Sequence, residues 1–242
     1  MRQCVETNRK LPPQLRRNPI GKCIYFATKR IYKYLNIIPA PYKTQYFVNG
    51  YPVILIHNPK CGGTSLKSML GNSGTTHSMP RHVMRESKWL RTYSIVAARD
   101  PFDRFVSGYS FFVNGPYKGA LYNHYGDALK KMDAFTFFEF IKQHPENLGH
   151  QVDWATFPSS QKPQADLILK TELSEFWWKT LKDHGITTSQ NNLPKKNSSR
   201  KSGYSDADIL KISNSELKKL KSMVAEYYRR DYEFFGYPFP KT

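Results

Sequence analysis

Three short apolar runs stand out along the chain, each ended by glycine, proline or charge. Tyr51-Pro-Val-Ile-Leu-Ile-His57 is rich in β-branched residues and shows no alternation, the pattern of a strand covered on both faces. Tyr93–Ala98 and Asp166–Lys170 read the same way. Helical spacing fills the intervals. Thr64–Leu70 follows the breakers Gly62 and Gly63. Pro101 suits a first helical turn, and Phe102–Phe112 repeats apolar residues at helical spacing. Asp133 is placed to cap a helix over Phe135–Gln143. Further helices are predicted over Ser174–Asp183 and Ser205–Tyr228, with an aromatic tail at Tyr232–Tyr237. The tract Thr187–Gly203 is polar and basic without periodicity, and reads as a long loop.

Strands alternating with helices predict an α/β fold with a mainly parallel sheet. Ligands in such folds sit at the carboxyl ends of the strands. Pro59–Ser65 and Arg99–Ser107 both follow strands, so they are expected to share one crevice.

Prolines 12, 13, 19, 39 and 41 punctuate the first 45 residues, which read as a basic arm (1–45) ahead of one folded domain (46–242). Within the arm, Cys23–Ile38 has the spacing of a short amphipathic helix, suited to docking on the domain, to pairing with another subunit or to peripheral membrane contact. The chain's formal net charge is +18, and residues 1–50 carry ten Lys and Arg against the single acid Glu6. Such a balance favours anionic partners, an acidic glycan among them; no specific nucleic acid partner is expected. No apolar run reaches the roughly 18–20 residues that span a bilayer. Basic residues and prolines stand where a secretory signal would have its apolar core. The expectation is a soluble, cytoplasmic protein, with the Golgi lumen as the alternative. Three cysteines, Cys4, Cys23 and Cys61, suggest no disulfide framework, and no His/Cys cluster has the spacing of a metal site.

The stretch His57-Asn-Pro-Lys-Cys-Gly-Gly-Thr-Ser-Leu66 joins a strand to a helix through a glycine-rich turn, the local design of a phosphate cradle. Lys60 adds a full charge; Thr64 and Ser65 add hydroxyl donors. The order of residues discriminates between uses. In a nucleotide triphosphatase loop the lysine follows the glycines. Here it precedes them, and Arg99, not a magnesium-binding acid, follows the second strand.

This segment resembles the 5′-phosphosulfate loop of carbohydrate-type (Golgi and bacterial) sulfotransferases, close to P-K-x-x-G-T-S. Arg99-Asp-Pro-Phe-Asp-Arg-Phe-Val-Ser-Gly-Tyr109 resembles that family's 3′-phosphate segment. The aromatic ending Arg230–Tyr237 is also similar, and the resemblance spans roughly Tyr46–Pro238. It implies a three-layer, P-loop-like fold with a central, mainly parallel sheet flanked by helices. It also implies a sulfonate donor, 3′-phosphoadenosine 5′-phosphosulfate (PAPS, leaving the product PAP), and a hydroxylated acceptor. Lys60, Cys61, Gly62, Gly63, Thr64, Ser65 and Leu66 would hold the 5′ side of the donor, and Arg99 and Ser107 the 3′-phosphate. Arg104 reads as a structural ion-pairing residue on the same helix.

Sulfonate transfer needs an in-line acceptor, a stabilised leaving phosphate and removal of the acceptor's proton. Lys60 suits the second need, and no metal is required. A histidine suits the third near neutral pH. The resemblance points to the interval after the loop, which makes His77 the expected base and His82 the second choice. Lys196 and Arg200, in the basic loop, are expected to close over the nucleotide, and Glu172 is a candidate second carboxylate. The competing classes are a non-catalytic polyanion binder, which the charge alone supports, and a P-loop nucleotide kinase, which lacks its lysine and acid in the expected places.

Overall fold

The structure, a computed structural model, describes residues 44–71, 75–76, 79–115, 125–186, 188 and 204–240. The basic arm up to residue 43, His77, Lys196 and Arg200 lie outside the described residues.

The chain enters through β1 (Phe47–Val48), turns at Asn49 and Gly50, and returns antiparallel as β2 (Tyr51–Ile56). Helix α1 (Gly63–Met69) leads to β3 (Thr75–Thr76), and two single-turn helices, α2 (Pro80–Val83) and α3 (Glu86–Trp89), precede β4 (Tyr93–Ala98). The long α4 (Pro101–Phe112), α5 (Asp127–Lys130), α6 (Ala134–Gln143), α7 (Pro145–Leu148) and α8 (Val152–Ala155) come before β5 (Leu167–Lys170). A 3-10 segment, Thr171–Phe176, runs into α9 (Trp177–Asp183). The described chain finishes with α10 (Asp206–Leu210), α11 (Asn214–Tyr227) and α12 (Arg229–Phe235).

The sheet has the order β1-β2-β4-β5, with β3 also on β2, and every pairing except β1–β2 is parallel. Register places Ile56 against Val96 and Ala98 against Lys170, so the three main strands end close together. Their lack of alternation has the expected cause, since both faces are covered. Val53, Leu55, Ile95, Ala97, Leu167 and Leu169 pack with Leu66, Met69, Trp177 and Leu181 from α1 and α9. Ile54, Ile56, Val96 and Ala98 pack on the opposite face against Trp89, Trp154, Phe157 and Phe235. A separate, aromatic core joins α4, α6 and α11 through Phe102, Phe105, Phe112, Phe137, Phe138 and Leu220.

The expected strands and the helices at α4 and α6 fall where the pattern puts them. Asp133 caps α6, accepting the Thr136 amide at 2.7 Å. The helix expected over Ser205–Tyr228 is instead broken. Lys211 takes a left-handed conformation (φ 57°), and Ser213 with Glu216 then forms a capping box that starts α11 afresh. The expected aromatic tail is itself the helix α12. The helix expected at Ser174 begins as the tighter 3-10 turn. No helix among the described residues is long and apolar enough to cross a membrane.

Candidate functional site

The site is assembled at the carboxyl ends of β2, β4 and β5. After β2, the backbone must bend sharply to enter α1. Lys60 and Gly62 both take positive φ, 66° and 74°. At Gly62 this is cheap; at Lys60 it is a strained conformation held by its surroundings. Gly63 is required for another reason. A Cβ there would lie 2.0 Å from the His57 ring, which is buried against it. No side chain caps α1. The amides of Ser65 and Leu66 both turn back to the Gly62 carbonyl, at 3.0 and 3.2 Å. Of the backbone donors expected for an anion, those of Gly62, Gly63 and Thr64 are the ones outside this turn. The helix is only two turns long, so its dipole adds little and the side-chain cations carry most of the charge.

Lys60 lies half-buried with its ammonium 4.0 Å from the centre of the Phe111 ring. Burial, reinforced by the like charge of Arg99, lowers its pKa to about 8. The amine is thus charged at neutral pH but close to losing its proton, and a nearby anion would restore the ordinary value. Among the described residues neither Lys60 nor the Arg99 side chain has a carboxylate partner. Two cations from neighbouring strand ends therefore stand close enough to interact, with no carboxylate partner among the described residues.

The loop between them is fixed from below by buried polar groups. Asn58 is fully buried; its amide donates to the Ala97 carbonyl and to Gln151 Oε1, both at 3.2 Å. Arg104, 1 % exposed, donates to the Pro59 carbonyl (2.9 Å), Asn58 Oδ1 (3.2 Å) and the Gly149 carbonyl (2.8 Å). These oxygens lie off its own helix, so the expected same-helix ion pair gives way to a clamp on the loop. Its guanidinium also offsets the buried Asp231 carboxyl, whose pKa burial pushes up and which accepts the Gln151 and Val152 amides at 2.8 and 3.1 Å. The Cys61 thiol points inward to Gln151 Oε1 at 3.1 Å. Burial pushes its pKa up to about 12, so it is a neutral donor and not a nucleophile. Cys61 thus belongs to the support of the loop; only its backbone remains for a ligand.

After β4, Arg99 leads into α4. Asp100 caps this helix through the Asp103 amide at 2.9 Å, with Pro101 in the first turn. Ser107 sits on the same helix but is buried, 4 % exposed, deeper than a residue on an open wall. After β5, the Thr171 hydroxyl lies within 3.0 Å of both the Cys61 and Ala98 carbonyls. Glu172 accepts the Asp100 amide at 2.8 Å and the Tyr237 hydroxyl at 2.9 Å. The carboxylate is thereby tied to the Arg99 turn and the C-terminal segment. Burial and the Glu172 charge hold Tyr237 well above the usual phenol range, which keeps it a donor.

The structure brings Lys60–Leu66, Arg99 and Glu172 together at one sheet edge, as the motif spacing implies. Phe111 lies under Lys60, whereas Phe112 belongs to the aromatic core and Tyr125 pairs with His144 at 2.9 Å. His82 is exposed on α2, where Arg81 donates to its Nε2 at 3.4 Å. Gln151 and Asn58 are the residues that sequence reasoning missed. No motif contains Gln151, and its neighbourhood carries no periodicity. Asn58 lies inside the recognised stretch, but nothing in the pattern sets it apart. Among the described residues no group of three or more His, Cys, Asp or Glu is placed to hold a metal ion.

A family model described as "Sulfotransferase family" matches residues 44–238. No curated protein and no solved structure matches the chain.

Proposed function

The chain belongs to the sulfotransferase family and transfers sulfonate groups, and on that premise we propose that PAPS is its donor and a hydroxylated carbohydrate or related metabolite its acceptor. The observation that carries this reading is the pair Lys60 and Arg99. These are two cations on adjacent strand ends, without a carboxylate partner among the described residues and close enough for one to depress the other's pKa. A ligand with two separated anionic groups suits that arrangement better than a single phosphate does.

When bound, PAPS supplies the activated sulfonate and a phosphate leaving group. Lys60 and the backbone of Cys61–Thr64, with the Thr64 and Ser65 hydroxyls, would hold its 5′ side. Arg99 would grip the 3′-phosphate with its planar fork, and Ser107 would add a hydroxyl where the helix gives access. The Lys60 ammonium stabilises negative charge developing beside it in a partly desolvated place, where such a charge counts for more than in water. Lys196 and Arg200 cover the nucleotide in this proposal. His77 takes the acceptor's proton. His82 is the second candidate; its Nε2 lies 3.4 Å from Arg81 Nε. The P-loop-like, three-layer description of the fold belongs to the same proposal. The net charge of +18 favours an acidic glycan among acceptors.

The experiment is a donor-dependent assay of His77→Ala. Turnover is expected to vanish while PAP still binds with wild-type affinity. Turnover at the wild-type rate would remove His77 from the mechanism.

A further inference from the structure

We propose that Gln151 is a positioning residue that couples the two anion-binding turns, so that occupation of one sets the geometry of the other; this rests on the donor reading above. The side chain is fully buried between the turns. Its Oε1 accepts from Asn58 Nδ2 at 3.2 Å and from Cys61 Sγ at 3.1 Å, both in the Lys60 turn. The same oxygen accepts the Arg99 amide at 3.0 Å. Its Nε2 donates to the Arg99 carbonyl at 2.7 Å. One primary amide thus holds both backbone groups of Arg99 and two side chains that flank Lys60.

The chemistry admits few substitutes. The Arg99 peptide presents a donor and an acceptor together, and only a group with both, at the right reach, answers both. A carboxylate of the same length would set oxygen against the Arg99 carbonyl. An apolar side chain of the same volume would leave the Arg99 amide and the Asn58 amide buried without that partner. The amide is itself braced, because its own backbone N–H donates to the buried Asp231 carboxyl at 2.8 Å. Asp231 stands under the Arg104 charge, and Arg104 clamps the Pro59 carbonyl. A displacement of the Lys60 turn therefore reaches Arg99 through one rigid group. Thr171 spans the same gap, but a single hydroxyl proton serves two carbonyls there. Gln151 makes the stronger and more directional bridge.

The consequence is a measurable coupling. In the wild type, the bisphosphate PAP binds far more tightly than adenosine 5′-phosphate, because both turns are held in register. In Gln151→Met and Gln151→Glu the second phosphate loses part of its benefit. The PAP-to-adenosine 5′-phosphate affinity ratio is expected to fall about tenfold or more, the loss of roughly one charge-assisted hydrogen bond. In Gln151→Glu, which keeps an acceptor for Asn58 and Cys61, affinity for adenosine 5′-phosphate itself changes much less, which a general loss of structure would not produce. If both variants fold and the ratio stays within about twofold of wild type, a difference too small for such a bond, the coupling is absent.

Should the variants not fold, the wild type answers the question. Adenosine 5′-phosphate, which lacks the 3′ group, is expected to slow hydrogen exchange at the Arg99 amide. Exchange unchanged at saturation would overturn the proposal. A wild type that shows no preference for PAP over adenosine 5′-phosphate contradicts the donor reading instead, and the exchange measurement then judges Gln151 independently.

Discussion

The two turns at the carboxyl edge of the sheet are built in opposite ways. After β4 the chain completes its own helix start, with Asp100 accepting the Asp103 amide and Pro101 bringing no N–H to satisfy. What Arg99 offers a ligand is therefore its side chain alone. After β2 the helix start has no side-chain cap, the backbone is bent through two positive φ values, and glycines expose the main chain. That turn offers peptide groups with one lysine beside them. The difference teaches how one crevice can hold two anions without confusing them. In the proposed reading, one would be met by a fork suited to a terminal phosphate, the other by a cradle suited to a phosphate that must leave.

The sharpest way to break this comparison is to remove either cation. Arg99→Ala and Lys60→Ala should each lower kcat/KM for PAPS by about 10²–10³-fold, as loss of one or two charge-assisted hydrogen bonds implies. Arg99→Lys should recover little, because a point charge does not reproduce the fork, whereas Lys60→Arg should retain donor binding. Donor kinetics that treat the two sites alike would show that the turns do not differ in the manner described.

The cradle's dependence on backbone is tested at Gly63. In Gly63→Ala the new methyl would lie 2.0 Å from the His57 ring. A stability loss of about 1–3 kcal/mol is expected from such overpacking, read as a fall in Tm, together with weakened PAP binding. An unchanged melting temperature would mean that the His57 ring is free to move aside.

The protonation of Lys60 sharpens the contrast further. Its amine, held near pKa 8, is charged below that pH. Binding an anion favours the charged form, so affinity for PAP should be level up to about pH 8. Above that pH the affinity should decline, approaching tenfold per pH unit, since each binding event then takes up a proton. Arg99 stays charged throughout this range. In Lys60→Arg the decline should disappear. Calorimetry from pH 7 to 9.5 checks this, and a level wild-type profile would separate Lys60 from the bound phosphate.

The smallest effect belongs to the self-sufficient turn. Asp100→Ala should lower stability by about 1 kcal/mol through loss of the cap, with PAP affinity nearly unchanged. A large loss of affinity would show that the cap also shapes the Arg99 site.

How far this comparison was legible in the sequence depended on whether the physics was local. The strands at Tyr51, Tyr93 and Leu167 announced themselves because both their faces are buried. The Lys60 turn and Arg99 were legible because glycines, a lysine and an arginine beside strand ends have few other uses. Lys211 hid a helix break, since a left-handed lysine carries no compositional mark. Arg104 was recognised as structural, but its partners, the carbonyls of Pro59 and Gly149, are set by tertiary contact and not by its own helix. Gln151 was invisible for the same reason: the four hydrogen-bond contacts of its side chain join segments 52 to 93 residues apart in sequence. Short-range pattern reports what an element buries; it does not report which buried amide ties two turns together.

The central claim, that the crevice between Lys60 and Arg99 holds a nucleoside 3′,5′-bisphosphate, is tested most directly by calorimetric titration of the wild-type protein with PAP in the presence of EDTA, beside ATP–magnesium and heparin titrations without chelator. The account predicts stoichiometric, metal-independent binding of PAP, at least about tenfold tighter than adenosine 5′-phosphate and lost in Arg99→Ala. Binding of ATP–magnesium in preference to PAP, or of heparin alone with an affinity that vanishes at high salt, would contradict it.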